Sequence, residues 1–192
     1  MFLQNWKKEI ISIPNLLSIL RILMIPIYVL IYQNAQTASD YWIAGSLVAI
    51  SCITDALDGY IARRYEMHTM LGKILDPLAD KLTQLSLCIC VHTRYPIVTP
   101  LLYLLIAKEV CQLIGLILLM KKGLALPGSI SPGKISTFIL FFSFIYIISF
   151  PTLPNFLLSS IVLVDLSVLL YAMSGYCFLY LENISKLRKF QI

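Results

Sequence analysis

The sequence predicts an all-α integral membrane protein of six transmembrane helices preceded by a short interfacial helix. Three observations carry that prediction. Of 192 residues, 59% are hydrophobic and 13% charged, whereas a soluble domain is nearer half apolar and about a quarter charged. Six stretches stay apolar over the ~20 residues that a helix needs to cross the bilayer core. The basic residues between those stretches fall almost entirely on one side. No Pro/Gly/Ser-rich linker, low-complexity tract or internal repeat divides the chain, so residues 13–192 read as one membrane domain.

Residues 1–12 mix Phe2, Leu3 and Trp6 with Lys7, Lys8 and Glu9, the composition of a helix lying in the headgroup plane. Pro14, Asn15 and Arg21 interrupt the apolar run that follows, and no small-residue cleavage site is present. A removed signal peptide is therefore not expected. The six spans are expected over residues 13–32, 42–63, 73–91, 97–120, 135–150 and 156–181. Pro96, Pro127, Pro132, Pro151 and Pro154 punctuate their ends.

Orientation follows from the lysines and arginines. Lys7 and Lys8 precede span one; Arg63, Arg64 and Lys73 lie between two and three; Lys121, Lys122 and Lys134 lie between four and five; Lys186, Arg188 and Lys189 follow six. The opposite loops hold Arg94, and Arg21, Lys81 and Lys108 fall within spans. Both termini are thus expected in the cytosol, in a bacterial cytoplasmic membrane. The net charge of +5 reads as topology and contact with anionic lipid heads, with no nucleic-acid partner expected. Cys52, Cys88, Cys90, Cys111 and Cys177 sit in apolar stretches without CxxC or His-paired ligand spacing, as small buried hydrophobes do. His92 is isolated; His68 lies inside the motif loop, where it could touch substrate.

The polar exception is the stretch 55–80. Asp55, Asp58, Gly59, Ala62 and Arg63 fall at i, i+3, i+4, i+7 and i+8, one face of a helix; Asp76 and Asp80, at i and i+4, share a face of the next. A carboxylate inside a membrane segment is a functional candidate, because it is costly there unless partnered. A short loop makes the two helices antiparallel neighbours, so four carboxylates can converge in a pocket open to the cytosol. Such a cluster needs cations, and hard oxygen donors suit Mg²⁺ or Mn²⁺. Gly59 and Ala62 clear the face for an extended ligand, while Arg63 offers a planar donor fork suited to phosphate. Together these residues describe a centre for phosphoryl-type transfer, where two ions can steady the entering and leaving oxygens. Aspartates paired with Arg63, Lys73 and Lys81 for packing alone would not explain the spacing.

The run Asp55-x2-Asp58-Gly59-x2-Ala62-Arg63-x8-Gly72-x3-Asp76-x3-Asp80 resembles the signature of the CDP-alcohol phosphotransferase family at every defining position, and the six spans are similar to that family's architecture. The resemblance implies transfer of a phosphatidyl group from CDP-diacylglycerol to an alcohol with release of CMP. It implies that Asp55, Asp58 and Asp76 ligate two divalent ions, and that Asp80 lies beside the metals and takes the acceptor's proton. CDP would be held by Asp55, Gly59, Ala62, Arg63 and Gly72. Homodimers are common in the family, and Gly45, Ser46 or Gly115 are candidate helix contacts.

The acceptor is less sharply marked. Ile13-Pro14-Asn15, Ser18 and Arg21 at the start of span one, and Asp76-Pro77-Leu78-Ala79-Asp80-Lys81, resemble both phosphatidylglycerophosphate synthases and the family's cardiolipin synthases. So do Lys108-Glu109 and Gly133-Lys134. Arg21, Lys108 and Lys134 are then candidates to receive an anionic acceptor, or simply snorkel or pair with carboxylates such as Glu109. Lys108 stands where the glycerophosphate synthases usually carry arginine, and Leu116 where a second arginine is often found. Glycerol 3-phosphate is the expected acceptor, with phosphatidylglycerol as the lipid alternative. A divalent-cation transporter is the alternative of another class. It would need a polar path through both leaflets, and the opposite leaflet is nearly devoid of polar residues, with Asp165 the one candidate in span six.

Overall fold

The computed structural model describes residues 12–64, 72–121 and 131–190; for residues 13, 14, 56, 58–63, 73, 74, 116, 120, 121, 181 and 183–190 it gives the helix course alone. The interfacial helix expected over 1–12 lies outside these residues save for Ser12, as does His68. Six long helices follow in order: α1 Ile13–Gln33, α2 Ala38–Arg64, α3 Gly72–Arg94, α4 Thr99–Lys121, α5 Ser131–Ser149 and α6 Asn155–Phe190, with a 3-10 turn at Pro96–Val98. The described residues contain no strand. The chain is an all-α integral membrane protein.

Among the described residues, four stretches are long and apolar enough to span a membrane by composition: Asn15–Gln33, Pro96–Leu119, Ser131–Ser149 and Asn155–Tyr180. Helices α2 and α3, at 27 and 23 residues, have the length, but the aspartate motif dilutes their apolar character. Three boundaries differ from expectation by four residues or more, the first being the start of α5 at Ser131 where 135 was expected. Helix α6 runs on to Phe190, and α2 starts at Ala38, ahead of its apolar run. The early start is a capping box: the Asp40 carboxylate accepts the backbone N–H of Thr37 at 2.8 Å and of Gln36 at 3.0 Å, while Thr37 Oγ1 accepts that of Asp40 at 3.4 Å.

The helices form two compact units, Met1–Arg94 with Phe144–Leu153 and Tyr95–Ser143 with Pro154–Ile192. In the first, α1 packs against both α2 and α3. Its Leu16, Leu20, Leu23, Ile27 and Leu30 recur every three to four residues on an exposed face suited to lipid, and Asn15, Ser18, Arg21, Met24, Tyr28 and Tyr32 are buried on the other. The usual soluble pattern is inverted, because lipid accepts the apolar face and the polar groups need partners inside. Farther along, Tyr28 shares a hydrogen bond with Ser86. A Cβ on Gly45 would run into the Ser149 hydroxyl.

In the second unit α4 packs against α6. Here glycines admit aromatic rings: a Cβ on Gly115 would strike the Tyr180 ring, and one on Gly133 the Tyr176 hydroxyl. Gly45 and Gly115, candidate contacts between copies, thus serve close approach within the chain. Tyr180 donates to the carbonyl of Gln112 at 3.3 Å. Asp165 is fully buried on α6 and accepts from Ser143 at 2.9 Å. Cys88 and Cys90 are buried as expected, while Cys177 is exposed.

Candidate active site

The carboxylates of two helices meet the polar face of a third. Asp55 comes from α2, Asp76 and Asp80 from successive turns of α3, and Ser18 and Arg21 from successive turns of α1. Arg21 Nη1 lies 2.5 Å from Asp55 Oδ1 and also donates to Asp80 Oδ1. The Ser18 hydroxyl donates to Asp76 Oδ1. The Arg21 side chain is 2% exposed, and the side chains of Asp55 and Asp80 are each 43% exposed. One buried cation therefore neutralises the inner side of two carboxylates whose outer side stays open.

The helical period sets Asp58 on the Asp55 face of α2, with Gly59, Ala62 and Arg63 following on the same helix. Their side chains lie outside the described residues. Gly72 is buried at the first residue of α3.

Of the three acceptor candidates, Arg21 sits among the aspartates, paired with carboxylates as the alternative reading of it allowed. Lys108 and Lys134 belong to the second unit. Lys108 is buried and pairs with its neighbour Glu109 at 2.9 Å; Lys134 is exposed in the first turn of α5. Ser18 was not singled out for a role from the sequence. Its signal was there: Asn15, Ser18 and Arg21 fall three apart on an otherwise apolar helix.

Carboxylate oxygens drawn from two helices, partly open to solvent, are the donor type a hard divalent cation takes. The donor set fits such an ion. Among the described residues no three acidic, histidine or cysteine groups stand closely enough to hold one, and Asp58 is outside that search.

The sequence model of the CDP-alcohol phosphatidyltransferase family matches residues 11–175, and this chain belongs to that family. Enzymes of the family use divalent metal ions. The chain is similar to the CDP-diacylglycerol--glycerol-3-phosphate 3-phosphatidyltransferase of Pseudomonas fluorescens, 49% identical over 71 residues, which are 37% of this chain and 36% of that protein. A protein of the same name from Rickettsia typhi is 44% identical over 72 residues, 37% of this chain and 39% of its own length. The cardiolipin synthase (CMP-forming) of Streptomyces coelicolor is 33% identical over 139 residues, 71% of this chain and 64% of that protein. Each match spans less than two thirds of the relative's length.

Proposed function

We propose that this protein transfers the phosphatidyl group of CDP-diacylglycerol to an alcohol and releases CMP, with glycerol 3-phosphate as acceptor and phosphatidylglycerophosphate as product. The observation that carries the reading is the gathering of Asp55, Asp76 and Asp80 from two helices around the buried Arg21 and Ser18. Family membership supports the reaction class, and the names of the Pseudomonas and Rickettsia relatives support the acceptor.

In this reading Asp55, Asp58 and Asp76 hold two Mg²⁺ or Mn²⁺ ions. Bound there, the metal supplies charge stabilisation for the entering and leaving oxygens. Asp55, Gly59, Ala62, Arg63 and Gly72 hold the cytidine diphosphate. Asp80 stands one helical turn from Asp76 and takes the proton as the acceptor oxygen bonds to the phosphorus that carries diacylglycerol. The bond from that phosphorus to the CMP oxygen breaks, and CMP leaves. Lys108 and Lys134 receive the acceptor's phosphate, since the charge of Arg21 is already engaged by two carboxylates. The one-sided lysines and arginines support a site facing the cytosol. A homodimer belongs to the same proposal.

Phosphatidylglycerol as acceptor is the second reading. The Streptomyces cardiolipin synthase match covers more of this chain than either glycerol-3-phosphate relative, and Leu116 occupies the position of the arginine often found in the glycerophosphate synthases. The test is CMP release by the purified protein in vesicles with CDP-diacylglycerol and, separately, glycerol 3-phosphate, phosphatidylglycerol, serine or inositol phosphate. Release with glycerol 3-phosphate is expected. Release with phosphatidylglycerol alone moves the protein to the second reading, and release with none overturns both.

A further inference from the structure

Helix α1 contributes none of the motif aspartates, yet it contacts three of them. Ser18 is fully buried and donates to Asp76 Oδ1. One turn on, Arg21 reaches Asp55 and Asp80. Serines within membrane helices commonly return their hydroxyl to a carbonyl of their own helix, and this protein follows that habit at Ser86, Ser136, Ser159, Ser160 and Ser167. Ser18 reaches across 58 residues of chain to a carboxylate of another helix.

We propose that Ser18 and Arg21 are positioning residues of the catalytic centre. Ser18 fixes the carboxylate orientation of Asp76, and Arg21 ties Asp55 of α2 to Asp80 of α3, so that α1 forms the third wall of the site. The proposal rests on the metal-dependent phosphatidyl-transfer reading given above. Partners that orient ligating groups typically change metal affinity by about 10–100-fold when removed.

The test is Mn²⁺ titration of the purified protein followed by electron paramagnetic resonance, with CMP release measured in parallel. Ser18→Ala is expected to weaken Mn²⁺ binding by about 10–100-fold, and Ser18→Thr, which keeps the hydroxyl, to restore it. If Ser18→Ala fails to fold, Ser18→Cys takes its place with the same expectation, because a thiol fills the volume but donates weakly. Arg21→Gln should lower kcat about tenfold or more while leaving acceptor KM near wild type. Arg21→Lys, whose ammonium can serve both carboxylates, should recover most of that loss. Wild-type Mn²⁺ affinity in the Ser18 variant overturns the assignment of Ser18 and leaves the reaction standing. A change confined to acceptor KM at Arg21 returns that residue to acceptor binding. Wild-type protein that binds no Mn²⁺ overturns the metal-dependent reading and this proposal together.

Discussion

Arg21 of α1 donates to Asp80 of α3 across 59 residues of chain, and the same guanidinium nitrogen lies beside Asp55 of α2. Three helices are tied at one point by a single buried cation. In lipid this arrangement is a physical necessity as much as a design. An arginine on a membrane helix must find carboxylates, water or headgroups, and two carboxylates on adjoining helices repel unless a cation stands between them.

The metal requirement is the most direct expectation. Chelation should abolish CMP release and Mg²⁺ or Mn²⁺ should restore it. Asp55→Asn and Asp76→Asn should each remove activity while the protein still folds, since a neutral amide relieves crowded negative charge. Full turnover in excess chelator would exclude the metal reading.

Asp80 separates chemistry from binding. A general base typically contributes about 10²–10⁴-fold, so Asp80→Asn should lower kcat by that order with a much smaller change in CDP-diacylglycerol affinity. Loss of donor affinity alone would make Asp80 a plain metal ligand. Steady-state kinetics beside an equilibrium binding measurement resolves the two.

The lysines of the second unit report the acceptor. Removing a charged hydrogen-bond partner costs ~1.5–3 kcal/mol, or roughly ten- to hundredfold in KM. Lys108→Ala and Lys134→Ala should raise KM for glycerol 3-phosphate by that order and spare KM for CDP-diacylglycerol. Lys134→Ala is the cleaner variant, because Lys134 is exposed whereas loss of Lys108 also strands Glu109. Unchanged acceptor kinetics in both would favour a lipid acceptor.

Gly115 should resist enlargement. The Tyr180 ring occupies the space a Cβ would need, and overpacking of this kind costs about 1–3 kcal/mol. Gly115→Ala should lower the Tm of the purified protein, although alanine is the better helix former. Tyr180→Ala should relieve the penalty in the double variant, and additive losses would show that the ring is not the obstacle.

A pH effect is expected at the start of α2. The backbone N–H of Thr37, then that of Gln36, holds the Asp40 carboxyl below its usual range. A carboxyl lowered by folding adds stability that is present above its unfolded value, ~3.9, and that fades as pH falls through the folded value. The cap should therefore persist through mildly acidic pH. Asp40→Ala should remove this acid-range dependence of Tm; a difference between the variants that grows only above neutral pH would contradict the sign.

Much of this was legible in residue order. Apolar runs of bilayer length and the flanking lysines and arginines set six helices close to where the structure has them, because lipid makes the apolar run and the helix the same constraint. The spacing of Asp55 and Asp58, and of Asp76 and Asp80, told which faces of α2 and α3 carry the carboxylates. The start of α2 was also readable, in Thr37-x-x-Asp40, but apolarity does not report a cap built from polar atoms ahead of the lipid-facing run. What only tertiary structure decided is who faces whom. Helical periodicity gathers Asn15, Ser18 and Arg21 on one face of α1 and cannot name the helix opposite. Packing of α1 against both motif helices made Asp76 the partner of Ser18, and Asp55 and Asp80 those of Arg21, since a buried donor takes the acceptor that packing brings within reach.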